Sequence, residues 1–219
     1  MEKVKRTFFT AKNITYLAVF AALIIILQLC SGFIAISTTR MSFVLVPIVL
    51  GGMLMGVGVG TILGLLFGII VIVTAVVGLD AFTLYMLNDS PVFTVFLCLL
   101  KGVAAGFIPA VLYKLIAKKN KYVAVFIAAI CAPIVNTGIF VAGAFIISNT
   151  IVDAMSSIGY DVMGLSASYI IIVGCAGVNF LVELAINIIC SPALYTVNRV
   201  ILKQLSNRKY KKYSTNDKP

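Results

Sequence analysis

Histidine is absent from the 219 residues, and Asp and Glu together number only 7. The first absence removes the usual general base, the commonest metal ligand and any Ser-His or Cys-His nucleophile pair. The second leaves little for carboxylate chemistry. An intramembrane protease or transferase would need a Ser-Lys or paired-aspartate site, yet Asp80, Asp89, Asp153 and Asp161 all fall in connections between apolar stretches. No G-x-x-x-x-G-K-[ST] loop occurs, and the run Gly56-Val57-Gly58-Val59-Gly60 has neither the spacing nor the preceding strand of a dinucleotide fingerprint. Any ATP hydrolysis in the protein's work must then happen on another subunit. Cys30, Cys98, Cys131, Cys175 and Cys190 show no metal-ligand spacing and no paired extracellular pattern. They read as small apolar packing residues, and no metal or cofactor is expected.

What the chain has in abundance is apolar sequence: 62% hydrophobic residues, only 11% charged and a mean hydropathy of +1.14. Soluble domains hold roughly 45–50% apolar residues, so composition excludes a water-soluble fold. The net charge of +10 does not point to nucleic acid, because of where the charges lie. All Lys and Arg except Arg40 and Lys101 fall in three clusters: before the first apolar run, at Lys114 to Lys121, and from Arg199 to the end. Basic clusters beside membrane helices follow from the positive-inside rule. The sequence Leu27-Gln28-Leu29-Cys30 hints at a lipoprotein cleavage site, but Gln28 and Leu29 are too bulky for one, and the run reads as a retained first helix.

A spanning helix takes about 20 apolar residues, and the tracts predict an all-α bundle of six transmembrane helices within a single domain, 1–205, followed by a basic cytoplasmic tail, 206–219. The helices are predicted at about 13–31, 42–56, 60–78, 91–117, 122–147 and 168–200. The tract from Met41 to Gly78 is divided by the Gly56–Gly60 segment into a short second helix carrying Pro47 and a third. Pro91 suits the first position of the fourth. Polar loops carrying the four aspartates are expected outside the cell, with the 1–2, 3–4 and 5–6 connections folding over an outward-facing site. Both termini and the Lys114–Lys121 turn then lie in the cytoplasm.

Gly60, Gly64 and Gly68 repeat on the third helix, Gly102 and Gly106 on the fourth, a spacing that lets helix backbones approach closely. Ala18 and Ala22, with Ala21 beside them, make a smooth face on the first helix that suits either packing within the chain or docking to a partner helix. A charge at mid-membrane costs at least ~2.5–3.5 kcal/mol unless paired or hydrated. Two such residues occur, Lys101 and Glu183. Lys101, Asn136 and Asn179 each lie about ten or eleven residues from the external end of their helix, ~15 Å deep at 1.5 Å per residue, with Glu183 one turn further. These four residues can surround one polar centre. Either Lys101 and Glu183 form an ion pair that fixes packing, or they line a hydrated pocket.

These residues resemble the substrate-specific subunits of energy-coupling-factor (ECF) transporters. The likeness is carried by the alanine face at Ala18 and Ala22, by the stretch from Ser42 through Pro47 to Gly56, by Lys101-Gly102-Val-Ala-Ala-Gly106, and by Ala132-Pro133-Ile-Val-Asn136-Thr137-Gly138. Where family members commonly have Gly-Pro at the second-to-third helix junction, this chain has Gly56-Val57. The resemblance implies a membrane subunit that binds a water-soluble vitamin or related solute with helices four to six and the external loops, Thr137 among them. It further implies a membrane coupling subunit and two ATPase subunits on other chains, the first contacted by the alanine face. Lys101, with Arg40, could pair with a carboxylate, which suits a pantothenate- or folate-like substrate, anionic or neutral. The rival reading is a self-sufficient carrier using Glu183 and Lys101, which six helices without an obvious inverted repeat make less natural.

The topology is testable in a cysteine-free background. A single cysteine at Ser156 is expected to react with an impermeant thiol reagent added outside, and one at Asn120 or Ser214 is not. The reverse pattern would overturn the orientation.

Overall fold

The computed structural model describes the backbone of residues 11–31, 35–36, 39–40 and 43–216, and the side chains of 14–31 and 43–201. Eight helices account for nearly all of it. They are α1 (Ala11–Ser31), α2 (Leu45–Met55), α3 (Val57–Val76), α4 (Ala81–Asp89), α5 (Pro91–Ile116), α6 (Lys121–Ile146), α7 (Ser148–Ser157) and α8. The last is one continuous helix in three parts, a turn at Ala167–Tyr169, a π-helical segment at Ile170–Gly177 and a long run at Val178–Asn216. Between α1 and α2, the strands β1 (Ala35–Ile36) and β2 (Thr39–Arg40) form a small antiparallel hairpin.

Local chemistry sets the boundaries. Pro91 opens α5, where its missing N–H is no loss. Asn120 caps α6 by accepting from the backbone N–H of Tyr122 (2.9 Å) and Val123 (3.2 Å). Gly56, at φ 101°, makes the α2–α3 break in a conformation that a side chain would strain. One residue thus suffices where the Gly56–Gly60 segment was expected to turn, and Gly58 and Gly60 belong to α3.

Two further expectations are corrected. The polar 3–4 and 5–6 connections contain the helices α4 and α7, which pack against each other. Thr150 Oγ1 donates to Asp89 Oδ2 (2.5 Å) across that contact, and Thr94 Oγ1 on α5 donates to the Met86 carbonyl of α4 (2.9 Å). In addition, among the described residues five helices rather than six are long and apolar enough to cross a membrane: α1, α3, α5, α6 and α8. The second helix has only 11 residues, a rise of about 16 Å, roughly half the ~30 Å hydrocarbon core. The final helix also runs past the predicted end, so the backbone of 206–216 is helical.

The closest helix pair is α3 with α5. A Cβ at Gly64 would run into the carbonyl oxygen of Gly102, one at Gly106 into that of Gly60, and one at Gly68 would sit 2.7 Å from the Cys98 oxygen. The repeated glycines therefore serve packing within the chain. At the end of the bundle that carries the Lys114–Lys121 turn, hereafter the basic end, α2 is wedged among the long helices. Gly52 lies against Ala110 and Gly60, and Gly51 against Leu63 and Phe20. Val44, Leu45, Ile48, Leu63 and Val125 are fully enclosed there.

A methyl group at Gly64 has backbone on its far side and cannot be absorbed by a rotamer change. Gly64→Ala is expected to destabilise the protein by about 1–3 kcal/mol, the usual cost of overpacking. Gly138 on α6 has open space around it, so Gly138→Ala should be neutral or stabilising by up to about 1 kcal/mol. Denaturant unfolding of both variants in detergent micelles checks the contrast.

Candidate functional site

The basic half of the bundle is filled by α2; the other half is not. Along α1, Phe20 meets α2 while Gln28 faces a cavity. Along α3, Leu63 meets α2 while Phe67 and Val71 face the cavity. Along α5, Ala110 meets α2 while Lys101 faces the cavity. No α2 residue lines it. The cavity, about 110 Å³, is completed by Asn136, Thr137 and Phe140 of α6, by Cys175, Ala176, Asn179 and Glu183 of α8, and by Asp80, Phe82 and Thr83 at the start of α4.

The structure therefore brings together five of the six residues expected at a solute site: Lys101, Asn136, Thr137, Asn179 and Glu183. The side chain of the sixth, Arg40, lies outside the described residues. Glu183 is 1% exposed, and its two carboxylate oxygens accept from Asn136 Nδ2 at 3.5 Å and Asn179 Nδ2 at 3.4 Å, both at the long limit of a hydrogen bond. The ammonium of Lys101 lies 5.5 Å from the centre of the Phe140 ring, within cation–π range. Phe140 in turn tilts against Phe82 at 6.4 Å. Among the described residues no carboxylate comes within ion-pair distance of Lys101. Of the two arrangements left open by the sequence, Lys101 and Glu183 both line a polar cavity and are not within ion-pair distance of each other. The oxygens Gln28 Oε1, Asn136 Oδ1 and Asn179 Oδ1 are buried at its wall without a protein partner.

Sequence reasoning missed Gln28, Asp80, Phe82, Thr83 and Phe140. Gln28 carried a readable signal, an amide inside an otherwise apolar helix. Asp80 did not, because its place at the cavity follows from capping α4, where it accepts from Thr83 N (3.1 Å) and Thr83 Oγ1 (2.7 Å). The π-helical segment also had no signature beyond its small residues; it sits where Cys175 and Ala176 reach the cavity, a common location for such irregularities. Below Glu183 a buried polar stripe continues along α8 at four-residue steps through Asn187 and Ser191, each bonded to its own helix backbone. Further on, Asn198 Nδ2 donates to Tyr113 Oη of α5 (2.6 Å). Among the described residues no cluster of three His, Cys, Asp or Glu is placed to hold a metal.

Of the helices long enough to span a membrane, α1 is the least buried. Ala18 and Ala22 are exposed and Ala21 is half-buried, while Phe20 and Ile24 point inward.

Apolar helices of this length around a polar chamber make this a multi-pass membrane protein. The sequence model of the family described as "ECF transporter, substrate-specific component" matches residues 12–195, and the chain belongs to that family. It is accordingly a substrate-binding transporter subunit that works with ECF module components rather than an enzyme. A search of curated proteins found no match.

The separation of Lys101 from Glu183 has a measurable consequence. Breaking a buried ion pair costs about 3–5 kcal/mol, whereas losing an ammonium–ring contact costs about 0.5–1 kcal/mol, or somewhat more if desolvated. Lys101→Met is expected to fall in the smaller range in denaturant unfolding. A loss above 3 kcal/mol would show that the two charges are coupled.

Proposed function

We propose that this chain captures a water-soluble vitamin or related small solute, anionic or neutral and of pantothenate- or folate-like chemistry, for an ATP-driven importer in the cell membrane. The observation that carries the reading is the cavity itself. Among the described residues, a lysine with no carboxylate at ion-pair distance, a buried glutamate and three unpartnered amide oxygens lie in one chamber, a costly set in an apolar bundle. A polar ligand that visits the chamber offsets that cost. Lys101, Asn136, Thr137, Asn179 and Glu183 are assigned to the solute, with Arg40 of the β hairpin joining them from the loop above α2.

The basic end is assigned to the cytoplasm, so the cavity opens away from it, toward the side carrying the four aspartates. At about 110 Å³ the chamber has room for roughly four waters, less than the ~300–1,000 Å³ of sites for larger ligands. Entry therefore requires α4, which lines the chamber, to part from the bundle. The chain has no nucleotide-binding loop, which supports placing ATP hydrolysis on two separate ATPase subunits and its transmission on a membrane coupling subunit. The exposed Ala18–Ala22 face of α1 is assigned to docking that subunit.

Reconstitution in proteoliposomes tests this division of labour. The chain alone is expected to bind solute without transporting it, and uptake should appear when the coupling and ATPase subunits and internal or external ATP are supplied. Replacing Ala18 and Ala22 together by Leu should abolish assembly while solute binding by the isolated chain persists. Solute uptake by the chain alone would instead select the self-sufficient carrier, and joint loss of assembly and binding would refute the separation of docking face from cavity.

A further inference from the structure

The chamber's donors and acceptors are sorted by wall. On the α6–α8 side, Asn136 and Asn179 turn their amide nitrogens to Glu183, which leaves both amide oxygens unpartnered and the carboxylate only loosely held. Gln28 on α1 adds a third unpartnered oxygen. An ionised carboxylate and an amide oxygen accept and cannot donate. The unpartnered oxygens can be satisfied only by N–H or O–H groups; Thr137 on the same wall adds one hydroxyl that can donate or accept. Asn136 and Glu183 are only 6% and 1% exposed.

The α5 side is the complement. Lys101 offers three donors and no acceptor, steadied over the Phe140 ring with Phe82 behind it. Among the described residues it is the only cation lining the chamber, against two carboxylates, Glu183 and Asp80. The second of these already takes two hydrogen bonds from Thr83. One anionic group on a solute finds a partner at Lys101. A second would meet an acceptor wall or a carboxylate, and juxtaposed like charges cost several kcal/mol.

We infer that the cavity is two-ended. It selects a monoanionic solute whose carboxylate docks on Lys101 and whose other end presents at least two hydroxyl or N–H donors to Asn136, Asn179 and Glu183. Dianions and solutes without donors are rejected. The inference rests on the solute-capture reading above and narrows it, favouring the pantothenate-like over the folate-like half of that range.

The test uses the full chain in detergent, incubated with a low-molecular-mass aqueous cell extract. Native mass spectrometry then detects what is bound, and the compound is identified after denaturation. The expected capture is a monocarboxylate with two or more donor groups. Its retention should fall at least tenfold in both Lys101→Met and Asn136→Ala, with thermal unfolding showing both variants folded. In a defined pair, pantothenate should bind at least tenfold more tightly than pantothenol, which keeps the donors and lacks the carboxylate, and Lys101→Met should erase that difference. Capture of a dicarboxylate, a cation or a donor-free solute, or equal binding of the pair, overturns the two-ended site while leaving solute capture intact. Failure of the wild-type chain to bind anything from the extract overturns the capture reading itself.

Discussion

A helix of 11 residues rises only half the thickness of a bilayer's hydrocarbon core, and in this protein that helix lies at the centre of the bundle. Because α2 touches α1, α3, α5, α6 and α8, its length decides how much of the interior is packed. Below its first turn the core is close-packed side chains. Beyond it the long helices continue with nothing between them but their own residues, and the polar chamber occupies that space. Close approach of α3 and α5 through their glycines holds the frame around α2, so that the apolar half is rigid and the polar half is a defined room rather than a collapsed seam.

Polar side chains between apolar helices are costly unless a partner satisfies them. On the stripe of α8 that runs from the chamber toward the basic end, Asn187 and Ser191 bond to their own helix, and only Asn198, through Tyr113, ties two helices together. Among the residues that line the chamber the bonding is incomplete too, with amide oxygens buried without a partner among the described residues. A stripe made for helix adhesion would close its bonds across the interface. Among the described residues, two further unpartnered amide oxygens, of Asn187 and Asn198, lie on the stripe itself, and three, of Gln28, Asn136 and Asn179, belong to residues that line the chamber.

Much of this was legible in the sequence for a simple reason: spanning helices are written as long apolar tracts, and a charge inside one stands out. Lys101 and Glu183 declared themselves by cost, and counting residues from helix ends was enough to place Asn136 and Asn179 at the same depth. What could not be read was tertiary. Asp80 belongs to the chamber because it caps α4, and α4 itself was hidden in a segment whose polar residues suggested a loop. Phe140 is one aromatic among many apolar residues until Lys101 is placed above it. Whether Lys101 and Glu183 meet depends on the rotation of α5 and α8 about their axes, and the π-helical turn at Ile170–Gly177 changes that rotation without a sequence signature. The half-length of α2 was visible in outline, since Met41 to Gly78 is too long for one span and too short for two, but only its packing shows that a polar chamber lies beyond its end.

The claim on which everything rests is that the half of the bundle beyond α2 is a chamber that water and a solute enter from the acidic end, while the half around α2 is sealed. Reaction with a small, charged, membrane-impermeant methanethiosulfonate in intact cells measures this directly, using single cysteines in a cysteine-free chain. A cysteine replacing Asn179 in the chamber is expected to react from outside and to be protected when the captured solute is present; one replacing Ser191, 0% exposed in the sealed half, should stay unreactive. Failure to label position 179, or labelling of both positions alike, would contradict the account.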